Sequence, residues 1–320
     1  MTEMQEFLPE IWVYCKTENR DLTKGSKELL GKAQELCNET SYEVAAVLFT
    51  GGEKKAVAFG AEKVYRFYSC DEAGQAKALA LQMEKGRPWA FLFPATAKGR
   101  MVSALLSVKI KTGLTAGCSG LDVEDGFLKQ TRPAFGGNLM ADVFCRHSYP
   151  QMATVQSGVF PVPEMIDNKK AKIIKCPIVV KNDTQIRVMK QCKKEEEMTS
   201  LNDAKIVLAG GLGLGSKENF ELLRQVAERI GAVPAASRAA VNAGMAPYSW
   251  QVGQSGKTIR PKLYIACGIS GAVQHLAGIQ GAGCIIAVNT DRKAPIFDHA
   301  DIGIAEDCVT FLRKLLCEEK

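Results

Sequence analysis

Short β-branched and aromatic runs alternate with helix-like stretches along this chain, break off at a charged interruption, and then begin again. That rhythm is the strongest constraint on the fold, because strands separated by helices of this length must run parallel in a sheet covered on both faces. In the first part, Ile11 to Cys15 (IWVYC) reads as a strand, Ser26 to Cys37 as a helix and Val44 to Phe49 as a strand. Lys63 to Tyr68 is a further strand, followed by an Ala-rich helix from Glu72 to Glu84, a strand from Trp89 to Phe93 and a helix from Lys98 to Val108. From Leu114 to Val180 the pattern changes. Short segments around Leu121, Phe127, Val143 and Val155, separated by Gly, Asp or Pro, predict hairpins that extend or decorate the sheet.

The interruption is the polar stretch Gln191 to Asp203 (QCKKEEEMTSLND). Charge runs of this kind are solvated linkers or surface helices, so it marks a boundary. We therefore expect an N-terminal α/β domain over 1–192 with a mainly parallel sheet, a linker over 193–203, and a second α/β domain over 204–320. In the latter, strands are expected at Lys205 to Ala209, Leu263 to Cys267, Cys284 to Val288 and Ile302 to Ala305. Ser216 is placed to cap a helix that runs to about Ile230, and a last helix reaches the terminus. This is the order of a doubly wound sheet.

Composition excludes several classes of function. The 320 residues suffice for two domains, and 46% hydrophobic against 24% charged residues is the profile of a folded, soluble protein. A net charge of +6 is mild, and Lys169-Lys170-Ala171-Lys172 and Lys193-Lys194 are too short for a nucleic-acid stripe. The eleven cysteines form no CxxC pair and have no histidine at zinc spacing, so neither a metal site nor an iron–sulfur cluster is expected. Free thiols suit a reducing cytoplasm. The opening MTEMQEF resembles neither a secretory nor a mitochondrial leader, and the apolar runs stop short of the roughly 18 residues that a membrane span needs.

Four loops of the second domain carry the candidate chemistry. Gly210 to Gly215 follows a strand and precedes a helix, with G-x-G-x-G spacing rather than the dinucleotide fingerprint, and no acid follows at a strand end about 20 positions on. Such a turn either offers amides to an anion or simply lets the helix pack on the sheet. The run Leu263 to Gly278 (LYIACGISGAVQHLAG) makes a second strand–turn–helix unit, in which the amides and the Ser270 hydroxyl can hold a phosphate. His275 in the first helical turn is either a ligand or a satisfied structural histidine. Ser237-Arg238 starts a loop or helix between strands, where the arginine is either functional or merely solvated. Val252 to Lys257 (VGQSGK) is a polar loop that lacks P-loop spacing, which argues against ATP. Loops at the strand ends of one doubly wound sheet converge on one crevice, which favours an extended, phosphate-bearing ligand.

SRAAVNAGMAP from Ser237, QVGQSGKTIRPKLYIACGISGAVQHLAGI from Gln251 and IIAVNTDRKAPIFDHADIGIAED up to Asp307 closely resemble the FAD domain of electron transfer flavoprotein alpha subunits. PATAKGR at Pro94 to Arg100 and TVQSGVF at Thr154 to Phe160 are similar landmarks in the first domain. The resemblance implies a Rossmann-like second domain that binds FAD through Ser237, Arg238, Val252, Gly253, Gln254, Ser255, Ser270, Gly271, Ala272, Val273, Gln274, His275, Asn289, Asp307 and Cys308. Arg238 would lie against the isoalloxazine and stabilise its negative charge on reduction. Ser255 would hydrogen-bond N5, and His275 would sit near the C2 carbonyl. Ser270 and the amides after it would hold the pyrophosphate, while Asn289 and Asp307 would lie along the ribityl and adenosine portions. Leu212 stands where many relatives have arginine, which implies an altered flavin potential or affinity.

The resemblance further implies a heterodimer with a beta subunit that contacts the first domain, and an FAD domain that swings on its tether. Electrons would pass between flavoprotein dehydrogenases, such as acyl-CoA dehydrogenase, and an acceptor. Two alternatives remain open at this point. One is the alpha subunit of a bifurcating, NADH-oxidising flavoprotein with a second FAD in the beta subunit. The other is a non-redox nucleotide-binding subunit holding AMP or CoA, which would leave Arg238, Ser255 and His275 without a shared purpose.

Overall fold

The structure, a computed structural model, describes residues 7–18, 21–68, 70–134, 139–178, 201 and 204–317. It divides into two compact units, Met1–Met189 and Lys190–Lys320. The linker expected at 193–203 lies, apart from Leu201, outside the described residues.

The first unit runs β1 (Leu8–Cys15), a small hairpin of β2 (Thr17–Glu18) and β3 (Asp21–Leu22), α1 (Lys24–Thr40), β4 (Glu43–Leu48), α2 (Glu53–Ala58), β5 (Lys63–Arg66), α3 (Glu72–Met83), β6 (Pro88–Pro94) and α4 (Ala97–Ile110). It continues with β7 (Leu114–Cys118), β8 (Gly120–Glu124), β9 (Phe127–Ala134), β10 (Leu139–Val143), β11 (Gln151–Val155) and β12 (Lys172–Lys175). Seven strands form one parallel sheet in the order β12-β5-β4-β1-β6-β11-β7. Along β1, Ile11, Val13 and Cys15 enter one apolar layer and Trp12 and Tyr14 the other. Both faces are therefore covered, which is why the strand reads as an unbroken apolar run. The one acid on this strand, Glu10, is buried. It accepts hydrogen bonds from Trp12 Nε1 (2.7 Å), Tyr65 Oη (3.0 Å) and Lys63 Nζ (2.6 Å).

The hairpins expected after Leu114 exist only in part. β8, β9 and β10 form a separate antiparallel sheet that contains Leu121, Phe127 and Val143. The segment at Val155 is instead β11, a parallel strand inserted between β6 and β7. It is buried throughout (QMATV), and a five-residue run carries no periodicity that tells a hairpin arm from an inner strand.

The second unit runs β13 (Ile206–Gly210), α5 (Lys217–Arg229), β14 (Val233–Ser237), α6 (Arg238–Asn242), β15 (Gln251–Val252), β16 (Leu263–Cys267), α7 (Val273–Leu276), β17 (Ile285–Val288), β18 (Ile302–Ile304) and α8 (Cys308–Cys317). Its six strands are parallel in the order β15-β14-β13-β16-β17-β18. The chain works outward from β13 on one side and then restarts at β16 on the other, so the switch point lies between these two strands. Val207 and Ala209 face one core layer and Leu208 the other, as a doubly wound sheet requires.

The Ser216 side chain accepts the Asn219 N–H and caps α5. Phe220, Leu223, Val226 and Ala227 then place that helix's apolar stripe on the sheet. β14 is a strand the sequence hides, because Pro234 lies inside it. The proline is tolerated there since β15 pairs only with Ala236 and Ser237, leaving the other edge of β14 open at Pro234. Among the described residues, no helix is long and apolar enough to cross a membrane.

Candidate functional site

The register of β13 on β16 sets the site. Gly210 lies opposite Cys267, so the turns after both strands leave the sheet at the same level. They are bolted together by backbone: Gly211 N donates to Cys267 O (2.8 Å) and Gly213 N to Gly268 O (3.1 Å). A Cβ on Gly211 would fall 1.9 Å from Gly268 O, so these turns approach as closely as they do only because that residue has no side chain. On the far side of the crevice, the loop after β15 folds back on itself through Gly253 N to Lys257 O (3.1 Å). It is tied to the start of α7 by Gln254 N donating to Gln274 O (2.7 Å).

These loops enclose one cavity of about 630 Å³. Ser237, Arg238, Val252, Gly253, Gln254, Ser255, Ser270, Ala272, Gln274, His275 and Asn289 all line it. Gly271, Val273, Asp307 and Cys308 do not. Gly271 packs on the backbone of the Pro295–Ile296 segment, and Val273 is exposed beside the cavity. Asp307 accepts the N–H and the hydroxyl of Thr310 (2.8 and 2.9 Å) at the start of α8, contacts that hold its carboxyl below the usual range. Burial pushes the Cys308 thiol up to about 11, and its Sγ reaches Val288 O inside the core. The structure thus gives Asp307 a capping task and Cys308 a packing task.

Leu212, Gly213, Gly268 and Ile269 also line the cavity, in turns the sequence singled out, whereas the walls supplied by Ala239, Asn242, Asp291, Ala294 and Pro295 were missed. Ala239 and Asp291 lie within a residue or two of assigned positions, so only the fold could separate the cavity side of each loop from its back. Leu212 is half exposed on the cavity wall, where it presents apolar surface.

Each polar side chain here has a definable chemical state. Ser237 accepts the Ala240 N–H as the cap of α6, which leaves its own proton to donate. Arg238 is exposed on the cavity and forms no ion pair with any described residue. Asn289 is braced at both ends, donating to Ile269 O (3.1 Å) and accepting from Asp291 N (3.0 Å).

His275 is the most tightly committed of these side chains. It is 7% exposed, with Nδ1 3.2 Å from Val252 O and Nε2 2.9 Å from Tyr264 Oη. A carbonyl only accepts, so Nδ1 carries the proton and Tyr264 donates to Nε2. Burial lowers the imidazole pKa from 6.5 to about 4. Both ring nitrogens are already engaged within the protein, and the imidazole lines the cavity as a neutral, internally bonded side chain.

The donor set fits FAD. An unpaired guanidinium faces an anionic or electron-rich group, and Ser270 offers a hydroxyl that no other described side chain engages. Positive φ at Gly268 (64°) and Gly271 (89°) bends the backbone between them into a turn that a phosphate can approach closely. Val252, Ile269 and Leu212 supply apolar wall for a flat ring.

Comparison with known proteins agrees with this geometry. The electron transfer flavoprotein FAD-binding domain matches residues 200–280, and the electron transfer flavoprotein domain matches residues 11–179. The electron transfer flavoprotein subunit alpha of Thermoanaerobacterium thermosaccharolyticum is 39% identical, covering 97% of this chain and 98% of that protein. That of Clostridium acetobutylicum is 40% identical, covering 97% and 96%. Subunit LctC of the NAD(+),ferredoxin lactate dehydrogenase of Acetobacterium woodii is 37% identical, covering 90% and 72%. Two matched domains and near full-length relatives, on a cavity suited to the cofactor, place the chain in the alpha-subunit family of electron transfer flavoproteins, which binds FAD.

Proposed function

We propose that this chain, paired with its beta subunit through the N-terminal unit, carries electrons between a flavoprotein dehydrogenase, such as an acyl-CoA dehydrogenase, and an acceptor. The observation that carries this reading is the unpaired Arg238 on the wall of an otherwise largely apolar cavity. When bound, FAD supplies the ability to take up electrons one or two at a time. The chain's own residues hold it and set how readily it does so. Arg238 provides a fixed positive charge that favours the reduced, more negative form. The Ser255 hydroxyl donates toward ring N5. Ser270, with the turn between Gly268 and Gly271, faces the phosphates, and Asn289 is braced for the ribityl chain. His275 stays neutral and excludes water. Coexpression with the beta subunit tests the reading: the purified complex should be yellow, and Arg238→Ala should make the bound flavin harder to reduce. A complex that stays colourless after incubation with FAD would overturn it.

One observation favours a second reading. The relative from Acetobacterium woodii is a subunit of a lactate dehydrogenase that uses NAD(+) and ferredoxin. A bifurcating complex of that kind would hold a second FAD in the beta subunit. Counting flavins per heterodimer separates the two: one for simple transfer, two for bifurcation.

A further inference from the structure

Ser255 stands at the tip of the turn after β15, exposed to the cavity it lines. Nothing in an exposed turn would by itself fix the direction of a serine hydroxyl, which has three staggered rotamers and a freely turning O–H. Behind it, however, sits Gln251, which is 4% exposed and does not line the cavity. Its Nε2 donates to Ser255 Oγ at 3.2 Å.

The backbone that carries this carboxamide is itself held in place. Gln251 pairs with Ala236 in the sheet, and its main-chain carbonyl accepts from Lys257 N at 2.8 Å. Its side-chain stem lies against Gly256, where a Cβ would meet Gln251 Cγ at 2.9 Å. From the other side, Tyr248 Oη donates to Ser255 O at 3.3 Å. A hydroxyl gives one proton and accepts at two lone pairs. With one lone pair facing an N–H behind it, the Ser255 proton is turned away from Gln251 and toward the cavity.

We propose that Gln251 is a positioning residue: its buried carboxamide orients the Ser255 hydroxyl as a hydrogen-bond donor to the flavin ring. This rests on the reading of Ser255 given above. A donor at that ring edge strengthens as the ring gains electron density, so Gln251 tunes reduction without touching the cofactor.

The test uses the FAD-loaded heterodimer and reads the flavin midpoint potential together with the FAD dissociation constant. In the otherwise unchanged protein, Ser255→Ala should weaken binding of the reduced flavin relative to the oxidised by about tenfold, the size of one well-placed hydrogen bond. Gln251→Glu replaces a donor with a group that only accepts, and so draws the Ser255 proton to itself. Ser255→Ala added to Q251E should then change the same ratio less than about twofold, a comparison that cancels the charge the glutamate adds. Gln251→Met, of similar length and with no donor, should give an intermediate effect and covers the case in which Q251E fails to fold. If Ser255→Ala acts equally in the unchanged and Q251E proteins, or in the unchanged and Q251M proteins, Gln251 does not orient the hydroxyl and the proposal falls while Ser255 keeps its role. If Ser255→Ala has no effect in the unchanged protein, the reading of Ser255 itself is wrong and the proposal goes with it.

Discussion

Protonating His275 should destabilise the second unit, by an amount the structure allows to be worked out. The imidazole is almost fully buried between Tyr264 and the Val252 carbonyl, and burial lowers its pKa from 6.5 to about 4. In the unfolded chain it titrates near 6.5. Above that pH both states are neutral, and His275 contributes no pH dependence. As pH falls from 6.5 towards 4, the unfolded chain takes up a proton that the folded one refuses, so stability drops by about 1.4 kcal/mol per pH unit. The loss is roughly 2 kcal/mol at pH 5 and levels off near 3 kcal/mol below pH 4, to order of magnitude.

Two measurements check this. The protein has three histidines, His147, His275 and His299, so selective ¹³C labelling gives three imidazole signals, and His275→Gln identifies the third. That signal should stay in its neutral position from pH 7.5 to 5. Urea unfolding across the same range should show a steeper loss of stability in the unchanged protein than in His275→Gln, by the slope given above. A His275 signal that titrates near pH 6.5, or equal slopes in the two proteins, would refute the assignment of a neutral, internally bonded imidazole. It would also make His275 available as a source of positive charge near the reduced flavin.

Other substitutions probe separate parts of the molecule. Gly211→Ala forces a Cβ to within 1.9 Å of Gly268 O, against main-chain atoms that cannot swing aside, and should cost about 1–3 kcal/mol with a loss of FAD affinity of tenfold or more, read by melting and by FAD titration. Arg238→Ala should lower the flavin potential on the order of 60 mV, the equivalent of a tenfold change in a one-electron equilibrium, measured by spectroelectrochemistry. An unchanged potential would remove Arg238 from the site. Ser216→Ala takes the cap from α5 and should cost about 1 kcal/mol in denaturant unfolding while leaving the flavin spectrum as it was. Glu10→Ala strands the buried Trp12 Nε1 and Tyr65 Oη, leaves Lys63 its ion pair with Glu43, and should destabilise the first unit by about 2–4 kcal/mol, visible in calorimetry as a lower melting temperature.

The parallel sheets were legible because a strand buried on both faces has no choice of composition. IWVYC, WAFLF and LYIAC could not be surface segments. Segments whose role depends on their neighbours were not legible. β11 has the length and mixed character of a hairpin arm, and only its place between β6 and β7 makes it an inner strand. β14 was hidden by Pro234, which argues against a strand until the partial pairing of β15 is known. The short helix α2 at Glu53–Ala58 is too brief to show a period.

The candidate site divides along a similar physical line. Glycine-bounded turns at strand ends advertise themselves, because few other residues tolerate the backbone there, and the loops at 210–215, 252–257 and 268–275 do converge. What each side chain does within a loop depends on where its hydrogen bonds go, and a motif does not record that. Asp307 belongs to the same stretch as the ligand-facing residues, yet its carboxylate is committed to Thr310. His275 sits in the most diagnostic segment, yet its nitrogens are committed to Tyr264 and Val252. Arg238 is the reverse case: an unremarkable arginine in the sequence, it becomes informative because no described carboxylate answers it. Residues that pair inside the protein build the cavity, and residues left unpaired on its wall are the ones free to act on what fills it.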